Sequence, residues 1–154
     1  MDAGAFAVLE AELRARLVDV DRIADRVEAR GAASGERPEE VDSLGYQLHN
    51  LYGAFEQVFE VVARYFENRV AAAGYHAGLI RRMQLNIPGV RPALLSESTA
   101  AGLDELRRFR HLFRHAYSAD LDPHKVRRLA AGAGPLRRAF ARDLDRFLAR
   151  LRPE

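Results

Sequence analysis

The strongest constraint on the fold is a stripe of large apolar side chains in the first half of the chain. Its members are Leu44, Leu48, Leu51, Phe55, Val58, Val62 and Phe66. A recurrence every three or four residues places such side chains on one face of an α-helix. The stripe predicts one long helix over residues 39–68, at the centre of the molecule.

The same helical spacing runs through the rest of the sequence. The other predicted helices cover residues 4–30, 76–86, about 99–118, 123–131 and 136–151. We expect Ser98 or Thr99 to cap the fourth helix, Asp122 to cap the fifth, and Gly132 and Gly134 to separate the last two. No segment alternates with a period of two, so no sheet is expected. The prediction is an all-α antiparallel bundle of about five to six helices, forming a single domain over residues 1–154.

Composition narrows the class of protein further. The chain has 154 residues, 48% of them apolar and 30% charged, which is the balance of one ordinary globular domain. It has no cysteine, which excludes disulfides, thiol nucleophiles and sulfur-ligated zinc. Its longest early apolar run, AGAFAVL, has no basic flank, and no stretch is long enough to span a bilayer. We therefore expect a cytoplasmic protein without a membrane partner.

Charge is distributed unevenly along the chain. Residues 1–77 carry 8 Arg against 14 Asp and Glu, a net charge of −6, whereas residues 78–154 carry 16 Lys and Arg against 8 acids, a net charge of +8. A basic half of this kind favours an anionic partner, and RNA is the natural candidate. Only one of the 24 basic residues is lysine, so abundant arginine alone is weak evidence for RNA binding. Stronger evidence must come from where the basic residues lie in the sequence.

One segment combines cations with groups that transfer protons. Residues 107–118, RRFRHLFRHAYS, contain four arginines and two histidines but no carboxylate. On a helix the apolar side is predicted to comprise Leu106, Phe109, Leu112, Phe113 and Ala116, and the opposite side to comprise Arg107, Arg110, His111, Arg114, His115 and Ser118. Because like charges this close repel one another, an anion is expected to neutralise the cationic side.

These residue types suit RNA cleavage without a metal. Guanidinium groups hold phosphate and stay charged, while histidine gives or takes a proton near neutral pH. His111 and His115 have a spacing that zinc uses, but no third ligand is evident, so neither a metal nor another cofactor is expected. His49, Tyr46 and Tyr52 in the long helix are interpreted as packing residues. By composition alone, a basic helix with histidines is more often a solvated surface or a simple anion-binding face than a catalytic site.

The segment FRHLFRHAY resembles the signature of the HEPN superfamily in its HepT-like form, R-x-x-x-x-H-x-Y. Arg110 matches the motif arginine, His115 the histidine and Tyr117 the tyrosine. The helix DSLGYQLHNLYGAFEQVFEVVA, the segment YHAGLIRRM and the loop IPGVRPALLS also resemble the HepT-like ribonuclease domain in that order, over roughly residues 40–150. One departure is His111, which stands where the family most often has Asn.

The resemblance implies an all-helical homodimer that cleaves RNA at a composite site between two motif helices. In this interpretation Arg110 stabilises phosphate charge and His115 transfers protons, with Arg107, His111 and Arg114 as supporting RNA contacts. On an ideal helix Arg110 and His115 lie roughly 140° apart, which also favours a groove shared between two copies. The resemblance further implies a toxin neutralised by a minimal nucleotidyltransferase of the MntA kind, which transfers AMP to Tyr117.

Two alternatives remain open at this point. The first is a catalytically silent HEPN domain that binds RNA or nucleotide, or serves as a protein-interaction module. The second is a purely structural bundle with a basic surface. Cleavage of RNA in the presence of a chelator separates the enzyme from both.

Overall fold

The chain forms a bundle of long helices in a computed structural model that describes residues 1–67, 75–115 and 120–153. The helices are α1 (Ala3–Ala33), α2 (Pro38–Glu67), α3 (Tyr75–Met83), α4 (Glu97–His115) and α5 (Pro123–Leu151). Within the described ranges the only β-type pairing is an isolated bridge between Ile87 and Arg91. The predicted all-α class is therefore confirmed, with five helices over these residues.

Helix α2 is the central element, as the apolar stripe predicts. It packs against all four other helices. Its stripe is buried from Leu44 to Val62, and Phe66 is partly buried against the same core. Full burial of one such side chain is worth roughly 1.5–3 kcal/mol, so each buried residue of the stripe contributes substantially to the bundle's stability.

Helix α5 corrects the prediction of two separate helices after residue 122. Asp122 caps it as expected, accepting a hydrogen bond from the backbone N–H of His124 at 3.0 Å. The helix then continues through Gly132, Gly134 and Pro135 without a break. Local propensity predicts a stop there, but α5 buries apolar side chains on both sides of this point, and packing against the core outweighs the propensity.

The start of α4 also differs from the prediction, because Ser96 takes the capping position instead of Ser98 or Thr99. Its hydroxyl accepts from the backbone N–H of Thr99 at 3.4 Å, and its carbonyl accepts from Ala100 at 3.0 Å. Asp143 of α5 accepts from both the backbone N–H and the hydroxyl of Ser96, at 2.8 and 2.9 Å. Burial acts to raise the pKa of Asp143, but hydrogen bonds from its neighbours outweigh it and hold the pKa below the ordinary value. A carboxylate from another helix thus anchors the beginning of α4.

The loop between α3 and α4 is ordered around a buried arginine. Gly89 adopts a left-handed conformation with φ of 74°, which glycine allows at no steric cost. The Arg91 side chain is fully buried and donates to the Glu67 carboxylate at 2.8 Å and to the carbonyls of Leu85 and Arg82 at 3.1 and 3.0 Å. Arg82 also contacts Glu67. This network ties the end of α2 to the segment that leads into α4.

Two helical glycines are expected to respond to alanine in opposite directions. Gly132 has no neighbour within 4 Å of a built Cβ and lines a cavity of about 100 Å³, whereas a Cβ on Gly45 would lie 2.7 Å from Leu121 Cδ1 and 3.3 Å from Phe113. We expect Gly132→Ala to raise the free energy of unfolding by about 0.5–1 kcal/mol through helix propensity. Gly45→Ala should lower it by about 1–3 kcal/mol through overpacking. Urea denaturation measures both, and equal effects would contradict the close contact of Gly45 with Leu121 and Phe113.

Candidate functional site

Helices α2 and α4 face each other across the region that carries the charged motif. On α2, residues 45, 49, 52 and 56 follow one another at spacings of three or four and so share one face. His49, Tyr52 and Glu56 of this face interact with Arg110 and Arg114 of α4. We call these five residues the α2–α4 cluster.

Arg110 is held in place by two residues of α2. Its Nη1 donates to Glu56 Oε1 at 2.8 Å, and its guanidinium carbon lies 5.4 Å from the centre of the Tyr52 ring. The side chain is 21% exposed, and its Nε is buried without a hydrogen-bond partner among the described residues. The motif arginine is therefore preorganised at the edge of the protein, with donors beyond the one that Glu56 uses.

The expectation of a cationic face without carboxylates is wrong in part. Asp104, one turn before the segment, pairs with Arg107 at 2.9 Å and with Arg108 at 2.8 Å, and Glu56 pairs with Arg110. The counter-charges come from the preceding turn and from another helix, so a window over residues 107–118 does not contain them. The candidate RNA contact Arg107 is thus half of an intrahelical ion pair.

The basic side chains that remain lie at the C-terminal end of α4, with Arg114 and His115 in its last turn. His111, Arg114 and His115 are exposed, and none of them forms an ion pair with any residue of the described ranges. The rings of His111 and His115 lie 4.6 Å apart, centre to centre. The negative end of the helix dipole favours cations in this turn by typically 0.3–1 kcal/mol each. The structure therefore brings His111, Arg114 and the motif histidine His115 together on one accessible surface, next to Arg110.

Leu112 corrects another expectation. The helical wheel predicts it in the core, but the side chain is 47% exposed. Leu106 and Phe109 are buried as predicted, and Phe113 is half-buried, with its ring 6.0 Å from Phe109. The apolar face of α4 is therefore narrower near its end than the wheel predicts, and an apolar side chain is exposed beside the cationic surface.

His49 lies closer to the motif than its interpretation as a packing residue suggests. Its half-buried ring lies 5.5 Å from the Phe113 ring, and its Nδ1 is buried without a hydrogen-bond partner in the described part of the chain. Burial lowers the pKa of His49, and the charges of Arg110 and Arg114 lower it further, against a smaller opposing effect of Glu56. The ring is therefore neutral at neutral pH. Its helical spacing from Tyr52 and Glu56 is the sequence feature that could have placed it on the same face of α2.

Tyr52 is buried beneath Arg110, which agrees with its interpretation as a packing residue. Tyr46 has the same interpretation, but it is 54% exposed, so that prediction is wrong. The Tyr52 hydroxyl has no hydrogen-bond partner within the described ranges. Burial is the main cause that raises the pKa of this phenol, so it remains protonated at all physiological pH values.

Replacing Tyr52 with phenylalanine is expected to raise the free energy of unfolding by about 1 kcal/mol. The change removes a buried hydroxyl without a partner and keeps the ring against Arg110. Tyr65→Phe is the matched control, since the Tyr65 hydroxyl donates to the carbonyl of Ala5 at 3.1 Å and its loss should be destabilising. If chemical denaturation shows equal losses for both variants, the Tyr52 hydroxyl has a partner in solution.

Tyr117, Ser118 and Ala116 lie outside the described residues, so the structure does not test the predicted modification site. No group of three or more potential metal ligands occurs within residues 1–67, 75–115 and 120–153. None of the helices, over the same ranges, combines the length and apolar character needed to cross a membrane.

An all-α bundle whose fourth helix carries Arg110 and His115 at the motif spacing has the features of the HEPN class. A family model described as HepT-like protein matches residues 43–151, more than two thirds of the chain, and the chain belongs to this family. Membership implies a toxin ribonuclease of the HEPN type with an antitoxin partner. No curated protein and no solved structure shows a significant match.

Proposed function

We propose that the chain is a metal-independent endoribonuclease and the toxin of a HepT/MntA-like toxin–antitoxin pair. The observation that carries the proposal is the arrangement around Arg110. Its guanidinium is fixed by Glu56 and Tyr52, and Arg114, His111 and His115 lie exposed in the adjoining turn of α4. Family membership supports the same reaction class.

In the proposed reaction the ribose 2′-hydroxyl attacks the adjacent phosphorus of RNA. A base removes the hydroxyl proton, an acid protonates the departing 5′ oxygen, and a cation stabilises the phosphoryl oxygens. Arg110 supplies the cation and His115 transfers a proton, with Arg114, His111 and Arg107 as supporting contacts. Stabilisation by such preorganised charge usually accounts for the greatest share of the rate enhancement in this type of catalysis.

The proposed site requires two copies of the chain. One α4 helix presents Arg110 toward α2 and His115 at its exposed end, and the exposed Leu112 between them offers an apolar contact to a second copy. Because that contact is apolar, association should weaken little with added salt. Sedimentation at several salt concentrations measures this association. A monomer at micromolar concentration with RNA present would contradict the composite site.

The proposed antitoxin is a minimal nucleotidyltransferase that attaches AMP to Tyr117. An adenylate two residues after His115 would place a covalent phosphate among the cations that bind RNA and would inhibit by its high local concentration. Incubation with ATP and the cognate nucleotidyltransferase, followed by intact-mass analysis, tests this step. A mass increase that persists in Tyr117→Phe, or is absent in the wild type, would contradict it.

A second candidate function is a catalytically silent HEPN domain that binds RNA or nucleotide, or acts as an interaction module. The ion pair between Arg110 and Glu56 favours it, because a buried carboxylate reduces the charge that the arginine offers to a transition state. The two functions differ in whether the bound RNA is then cleaved.

Cleavage of RNA in the presence of EDTA is the decisive experiment. The enzyme is expected to cut RNA under these conditions and to leave 2′,3′-cyclic phosphate ends. RNA binding without cleavage would support the silent module. Cleavage that stops on chelation would contradict the metal-independent mechanism.

A further inference from the structure

His49 is a polar group that the proposed reaction does not use, although it lies in the α2–α4 cluster. Buried polar atoms in proteins nearly always have hydrogen-bond partners, and those without one often belong to functional sites. Three such atoms belong to residues of the α2–α4 cluster, namely His49 Nδ1, the Tyr52 hydroxyl and Arg110 Nε, none of which has a partner in the described ranges. Three such atoms in one cluster mark it as a candidate functional site.

Building on the proposed function, we propose that His49 is a phosphate-binding residue. Its neutral imidazole donates the Nε2–H to a phosphoryl oxygen of RNA that Arg110 and Arg114 hold. This contact adds a neutral hydrogen-bond donor to a phosphate site whose other named contacts, Arg110 and Arg114, are cations.

The position of His49 supports this contact. Arg110 and Arg114 are one turn apart on α4, and the His49 ring packs on Phe113, which lies between them in sequence. Both arginine charges act on the ring. A phosphate bound by these two guanidinium groups would therefore lie next to the imidazole. Because Nδ1 is enclosed while the residue as a whole is half-buried, we assign the phosphate contact to Nε2.

The same burial determines the tautomer. A buried N–H without an acceptor is rarer and more costly than an acceptor without a donor, so Nδ1 carries no proton and Nε2 carries one. The surroundings also oppose a second proton, because burial, Arg110 and Arg114 lower the pKa of His49 more than Glu56 raises it. The ring is thus a neutral donor rather than an imidazolium or a base.

Binding of a 2′-O-methyl RNA oligonucleotide tests the role without any cleavage, since this probe lacks the attacking hydroxyl. His49→Ala is expected to weaken binding about tenfold to hundredfold, the usual effect of losing a hydrogen bond to a charged group. His49→Gln should bind within about threefold of the wild type, because its amide N–H occupies a position close to Nε2. His124→Ala, a change at an exposed histidine in the first turn of α5, is the matched control and should bind as the wild type does.

The pH dependence distinguishes a neutral donor from a charged one. Other pH-dependent effects act on both proteins, so the ratio of the dissociation constants of His49→Ala and wild type is the relevant quantity. We expect this ratio to stay constant from pH 6 to 8. A ratio that rises toward pH 6 would show an imidazolium contact and overturn the neutral donor.

The outcomes separate the two proposals. If His49→Ala, shown to be folded by circular dichroism, binds like the wild type while RNA is still cleaved, His49 is a packing residue and only the present inference fails. If the binding pattern holds but RNA is not cleaved, the ribonuclease proposal fails and His49 remains a phosphate contact. If His49→Gln binds well but cannot cleave, His49 acts as a base and the inference is overturned. Should alanine prevent folding, His49→Asn, whose amide mimics Nδ1, takes its place.

Discussion

Arg110→Ala and His115→Ala are each expected to lower the rate of RNA cleavage by at least about a hundredfold. Arg110 is the cation proposed for the phosphoryl oxygens, and one preorganised donor of this kind contributes typically 10²–10³-fold. His115 is the proposed proton-transfer residue, and such groups contribute typically 10²–10⁴-fold. Single-turnover cleavage with EDTA present measures both losses.

Matched controls separate this chemistry from a general loss of charge. Arg108→Ala removes an arginine from the same helix, but Arg108 is exposed and paired with Asp104, so cleavage should change by less than about threefold. His124→Ala serves the same purpose for His115. Equal losses of cleavage rate in Arg108→Ala and Arg110→Ala would show that the segment acts only as a nonspecific cationic surface.

Arg110→Lys distinguishes geometry from charge. Because Arg110→Ala also leaves the buried Glu56 without this partner, its stability must be measured beside its activity. Lysine keeps the positive charge but lacks the planar array of donors that contacts Glu56 and a phosphate together. We expect Arg110→Lys to fold and to cleave RNA poorly. Full activity in this variant would show that only the charge matters.

Glu67→Ala is expected to lower the free energy of unfolding by about 3–5 kcal/mol. The change leaves the fully buried Arg91 guanidinium without a carboxylate, and breaking a buried pair from one side is costly to this extent. Glu36→Ala is the matched control, since Glu36 and Arg127 are also 2.8 Å apart but Glu36 is exposed, and surface pairs contribute about 0–1 kcal/mol. Urea denaturation at pH 7 compares the two variants.

The effect of Glu67 should also depend on pH. Burial acts to raise its pKa, but hydrogen bonds from Arg91 and Arg82 outweigh it, so the folded pKa lies below the unfolded value of about 4.3. The stabilisation by Glu67 is therefore fully present above that value and is lost as the pH falls through the folded pKa. The difference between wild type and Glu67→Ala should shrink below about pH 4. A difference that does not change with pH would contradict an ionised Glu67 in the folded state.

Sequence periodicity predicted most of the architecture correctly because burial depends on side-chain type and spacing. The stripe on α2 and the core residues Leu106 and Phe109 of α4 are buried as predicted. Propensity was less reliable at Gly132, Gly134 and Pro135, where α5 continues. Each of these residues disfavours a helix locally, but the apolar contacts on both sides of them are collectively stronger.

By itself, the sequence determined the helical class, the central position of α2 and the motif of Arg110 and His115, since all three depend on residue type and local spacing. Only the tertiary structure decided which charges meet. Glu56 lies 54 positions before Arg110 and Glu67 lies 24 before Arg91, and no local pattern predicts ion pairs over such separations. His49 lies in the α2–α4 cluster for the same reason, because the packing of α2 on α4, and not any neighbour in sequence, places its ring beside Phe113 and near the charges of the two arginines.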